Sequence, residues 1–90
     1  MRKQIWKYSL ESMPIQEISM PAKAEILCVQ AQNGKPCIWA LVDIEAKKEE
    51  RRFHMYGTGH AVETGVSLKY IGTFQQNNGV FVWHLFELLN

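Results

Sequence analysis

Ala24 to Asp43 reads AEILCVQAQNGKPCIWALVD. Two apolar runs flank Asn33-Gly34, a dipeptide suited to a two-residue hairpin turn because both positions tolerate positive φ. In the first run Leu27, Val29 and Ala31 alternate onto one face, and Ile26 and Cys28 onto the other. In the second run Cys37 to Val42 is apolar on both faces. Such a strand needs cover on both sides, from a second sheet, a helix or a partner subunit. The stretch therefore predicts a β-hairpin inside a layered structure.

The flanking sequence extends this pattern. Gln4 to Leu10 places Trp6, Tyr8 and Leu10 on one face, with Ile5 out of step. Ile15 to Met20 is bracketed by Pro14 and Pro21, which predicts a short edge strand because proline cannot donate to a ladder. Asp43 to Glu50, DIEAKKEE, predicts a solvated charged loop or a short helical turn, extended by Arg51 and Arg52. Phe53 to Tyr56 returns to strand character. Leu68 to Gln75 predicts a strand with Leu68, Tyr70 and Phe74 on one side, Lys69, Thr73 and Gln75 on the other, and Ile71 out of step. After the Asn77-Asn78-Gly79 turn, Val80 to Glu87 is rich in β-branched and aromatic residues. Leu85, Leu88 and Leu89 also have helical spacing, but the aromatic content and the preceding turn favour a strand with a frayed tail. The expected fold is all-β, a small antiparallel sandwich or partly open barrel of six or seven strands, in a single domain spanning residues 1–90.

Composition narrows the function. Ten Lys and Arg against nine Asp and Glu leave a formal charge of +1, which gives no support for a polyanion-binding machine. The ten aromatics fit a core better than a base-stacking platform, since the lysines beside them in strands point to the opposite face; nucleic acid is not an expected partner. No apolar run approaches the length of a membrane helix, and Lys7 and Glu11 break any signal-peptide core at the start of the chain. Cys28 and Cys37 are too few for a disulfide scaffold and read as free thiols of a reducing compartment. A domain this small, with surplus apolar strand faces, is expected to form a homo-oligomer.

The best candidate site is Tyr56-Gly57-Thr58-Gly59-His60. Two glycines around a threonine can present successive backbone N–H groups to an anion, with a hydroxyl and an imidazole beside them. Arg51 and Arg52 precede this segment and supply charge if the fold brings either of them close. His54, His60 and His84 do not form a metal-ligand pattern, and in a strand His84 and Glu87 point apart. The cysteines lie in apolar runs that suit packing. No metal, cofactor or catalytic residue is expected.

The early aromatic strand with its Met13-Pro14 turn, then ILCVQAQNGKPCIWALVD, YGTGHAV, YIGTF and FVWHLFE, resemble a family of small proteins of unknown function encoded in bacterial and bacteriophage genomes. The resemblance implies a cytoplasmic phage or prophage product. It suggests a non-catalytic binder that occupies a host protein or sequesters a small anionic, nucleotide-like ligand. An assembly subunit built on apolar strand faces, or a small enzyme using histidine acid/base chemistry, are the alternatives.

Overall fold

The computed structural model describes residues 2–89. Seven strands follow in chain order: β1 (Lys3–Ser9), β2 (Ile15–Pro21), β3 (Glu25–Gln32), β4 (Lys35–Asp43), β5 (Lys48–Gly57), β6 (Leu68–Gln76) and β7 (Phe81–Leu88). They form two antiparallel sheets, β1-β4-β3 and β2-β5-β7-β6, stacked as an open sandwich. The expected hairpin is β3–β4. Gln32 pairs with Lys35 around Asn33 (φ 52°) and Gly34 (φ 80°), both in the left-handed region that this turn requires. The second Asn-Gly signal closes β6 onto β7, and the C-terminal stretch is strand through Leu88.

The core is the facing surfaces of the two sheets. Ile38, Ala40 and Val42 of the central strand β4 point inward with Val29, against Met20, Phe53, Met55, Phe74 and Leu85 of the other sheet. Trp39 and Leu41 alternate to the opposite face and remain half-buried. Of the two-sided cover that Cys37–Val42 calls for, the second sheet supplies only the inner half.

Two strands differ from their expected faces for one physical reason. A bulge at Leu27 inserts one residue into β3, so Ile26, Val29 and Ala31 line the inside while Leu27 turns outward. A bulge at Ile71 does the same in β6, so Tyr70 and Phe74 end on opposite faces. Both bulged strands are sheet edges, and they meet at one side of the sandwich. There a Cβ on Gly72 would lie 2.9 Å from Val29 Cγ1. Only a glycine allows that approach. The charged segment is also shorter as a loop than its composition suggests, because Lys48, Glu49 and Glu50 already belong to β5.

Arg51 and Glu87 lie on the inner face at the same end of the sandwich. Glu87 is buried, and Arg51 grips it with two hydrogen bonds, Nε to Oε2 and Nη2 to Oε1 at 2.9 Å. Arg51 Nη1 donates to Ala24 O at 2.8 Å, in the segment that carries the chain from β2 into β3. These hydrogen bonds to Glu87 raise the Arg51 pKa above its ordinary value.

β5 and β6 both run antiparallel to β7, which separates them, so they are parallel to each other. Residues 58–67 must therefore travel back along β7. They do so over the outer face, where Glu63 Oε2 comes within 3.8 Å of His54 Nδ1. This cover explains why the outward-pointing His54 is only 3% exposed.

Three outcomes follow from this packing. Arg51→Met and Glu87→Met are each expected to cost about 3 kcal/mol in urea unfolding, because each strands a buried charge, while the double variant costs clearly less than the sum. Gly72→Ala is expected to lose about 1–2 kcal/mol by forcing Val29 aside. The Tyr8 hydroxyl is buried with no partner among the described residues, and burial raises its pKa. Its contribution is fully present below the unfolded tyrosine value of about 10 and is lost as pH rises through the higher folded value. Tyr8→Phe is therefore expected to flatten the alkaline limb of a stability profile measured against the parent chain.

Candidate functional site

β5 ends at Gly57, and the next residues form a tight turn. His60 N–H donates to Gly57 O at 3.0 Å, and Gly59 takes a φ of 88° at the third position, as a type II turn demands. Thr58 N–H donates to Val82 O and so extends the β5–β7 ladder by one bond. The His60 ring folds back onto the Gly57 backbone. A Cβ on Gly57 would stand 2.7 Å from His60 Cε1. The two glycines thus have separate tasks: Gly59 supplies the turn conformation and Gly57 makes room for a ring.

That ring walls a cleft at the open end of the sandwich. His60 meets Trp83 edge-on, with centroids 6.2 Å apart. The cleft of about 340 Å³ is otherwise lined by Ser12, Met13 and Pro14 from the β1–β2 connection, Pro36, Met55 and Gln76. Gln76 is clamped on both sides: its Nε2 donates to Gly34 O, and its Oε1 accepts from Trp83 Nε1, each at 3.0 Å. It therefore links the β3–β4 turn of one sheet to the floor of the other. The cleft is mainly apolar, with a few fixed polar groups, which is the composition of a site that grips an apolar group and orients it.

On the outer face the same turn begins a hydrogen-bonded chain. Thr58 Oγ1 lies 2.7 Å from His84 Nε2, His84 Nδ1 lies 2.9 Å from Thr73 Oγ1, and Thr73 bonds to the Tyr70 hydroxyl. Tyr56 and Tyr70 both meet Phe86 edge-on, and His54 Nδ1 bonds to the Tyr56 hydroxyl at 3.0 Å. Both nitrogens of His84 face hydroxyls, with no carboxylate in the chain. The arrangement holds the imidazole still and pins the turn to β7.

Tyr56, Gly57, Thr58, Gly59 and His60 are thus brought together at one end. Arg51 and Arg52 are not. Five or six residues of extended strand, roughly 17–20 Å, separate them from Gly57. Arg51 is held by Glu87 and Ala24, and the exposed Arg52 stands 3.7 Å from Glu17. The backbone N–H groups of Thr58 and His60 are already used within the fold. A cradle for an anion thus lacks both these donors and the arginine charge.

The residues that sequence reasoning missed are Met13, Pro14, Met55, Gln76 and Trp83 in the cleft, and Tyr70, Thr73 and His84 on the face. Met13-Pro14 and the alternation Trp83/His84 were visible as signals, but only the sheet order brings them to one turn. Among the described residues no group of three or more His, Cys, Asp or Glu is placed to hold a metal ion, and no helix is long and apolar enough to cross a membrane.

No curated protein and no solved structure matches the chain. A family described as a domain of unknown function, DUF7352, matches residues 1–90. With its whole length covered by that match, the chain belongs to the DUF7352 family.

Proposed function

We propose that this chain is a non-catalytic, self-associating binding domain that acts by occupancy, holding a short apolar segment of a partner protein in the cleft at the open end of the sandwich. The observation that carries this reading is the cleft itself. Its apolar lining is set by Met13, Pro14, Met55 and Trp83, and its polar groups, His60 and Gln76, are held in place before any ligand arrives. Prepositioned groups lower the ordering cost of binding. A protein segment suits this lining better than a small anion, because the charge an anion needs lies at the other end of β5. The half-buried Trp39 and Leu41 on the outer face of β4 support self-association. The motif resemblance supports a phage or prophage setting, and two free thiols support a cytoplasmic one.

The test is selection from a random peptide library on the immobilised chain, followed by titration of the selected peptide using Trp fluorescence. The expected peptide carries one large apolar anchor. Gly57→Ala, which pushes the His60 ring out of the wall, and Met13→Glu, which puts a charge in the lining, are each expected to weaken it at least about tenfold, the loss typical of disturbing an anchor pocket. Failure to select any peptide, or variants that bind the selected peptide as tightly as the parent chain does, would remove the cleft from the function.

A further inference from the structure

We propose that the free edge of β2 is a strand-addition site, where an extended, basic segment of the partner protein pairs with residues 15–19 as it leaves the cleft. The inference rests on the cleft reading above and names the path and charge of that segment. The hydrogen bonds at the two ends of β2 fix which backbone groups are spent. Met55 N–H donates to Pro14 O and Ala22 N–H donates to Lys47 O, each at 2.7 Å. Pairing with β5 therefore uses the even-numbered residues of β2, and the N–H and C=O groups of Ile15, Glu17 and Ser19 point away from the sheet. None of these groups has a hydrogen-bond partner among the described residues. Pro21 closes the far end, since it has no N–H and its C=O accepts from Ala24 N–H. The near end begins at Pro14, which lines the cleft, so a segment seated there meets the open stretch directly.

Charge selects this edge and its occupant. Glu17 faces outward, Glu50 lies across from Ser19, and Glu63 stands beside His54, which is opposite Ile15. Glu11 precedes Ser12 of the cleft lining. Against these carboxylates stands Arg52, 3.7 Å from Glu17. Lys48 lies opposite Pro21, beyond the open stretch. The surroundings of the edge are thus acidic and fit Lys or Arg in the added strand, while Ile15, 48% exposed, offers it an apolar cross-strand contact. The other edges differ. β3 and β6 meet each other where Gly72 admits Val29. β1 carries Lys3, and Lys7 reaches from it over β4 to Gln32 Oε1, so its surroundings are basic and oppose the same segment. A second copy's β2 is a poor occupant, because two-fold pairing over this stretch sets Glu17 against its own equivalent. Backbone pairing supplies affinity in such a mode, and alternate side chains supply specificity.

The test uses peptides selected on the immobilised full chain. Hydrogen exchange of the Ile15, Glu17 and Ser19 amides is expected to slow on adding a selected peptide, with the Ile5 and Lys7 amides of β1 unchanged. Ser19→Pro removes one edge N–H that the β2–β5 ladder does not use, and it is expected to weaken the peptide about tenfold with the circular dichroism spectrum retained. Glu17→Lys is expected to weaken it several-fold, and exchanging the peptide's facing Lys or Arg for Glu to restore it. Unchanged exchange at the three amides, or Ser19→Pro and Glu17→Lys variants that bind as the parent does, would overturn the edge. A peptide that depends on Met13 but not on Ser19 leaves the cleft standing and removes the edge; dependence on Ser19 but not on Met13 does the reverse. Failure to select any peptide removes both.

Discussion

The Arg51 fork is the interaction on which the arrangement of this fold depends. One guanidinium holds Glu87 of β7 from β5 and at the same time the Ala24 carbonyl, which lies where the chain leaves one sheet for the other. A planar group with five donors can serve three segments at once; a lysine could not match the paired geometry. The desolvation cost of placing this pair inside a small sandwich is large, so the pair contributes more to which segments meet than to net stability. It closes one end of the sandwich. At the other end of the same strand the His60 ring takes the space that Gly57 leaves, and the cleft lies beside that ring. The distance along β5 from Arg51 to Gly57 is therefore the distance from the closed end to the open one.

The glycines show a second constraint, close approach. Gly72 admits Val29 where the bulged strands β3 and β6 meet, and Gly57 admits the His60 ring at the mouth. Neither has positive φ, so backbone freedom explains neither of them. Both mark places where a neighbouring group needs the volume of a Cβ. One contact joins the two sheets along a side, and the other shapes the site. Fold and site thus depend on the same device used twice.

Most of the strands were legible because alternation and turn chemistry are local. Asn33-Gly34 reports its own backbone conformation, and Trp6, Tyr8 and Leu10 report the face they bury. The bulges were not legible. A one-residue insertion at Leu27 or Ile71 changes no local propensity, yet it reverses the facing of everything on one side of it. Ile71 already stood out of step with its neighbours, and the bulge is the physical content of that irregularity. Arg51 was the harder case. In the sequence it is one charge in a run of charges, and nothing local separates it from Arg52, although one is bound inside and the other is exposed. Alternation along β5 makes the difference, and that strand begins within a segment whose composition suggests a loop.

The site divides in the same way. The turn Gly57–His60 was readable because its glycines sit two apart around a polar residue. Its surroundings were not, because Met13, Gln76 and Trp83 reach it only through strand order. Strand order also moves the chemistry. With Arg51 placed near the turn, the glycine loop would read as an anion site; with Arg51 bound to Glu87, the same loop borders an apolar cleft. The thinness of the molecule bears on this choice. Extents of 41 × 34 × 16 Å leave two broad faces and little interior. A chain of this shape cannot cover all its large apolar residues by itself, and Trp39 and Leu41 remain half-buried on the outer face of the three-stranded sheet. Binding through surfaces, at an end and across a face, is the kind of function that such a shape supports.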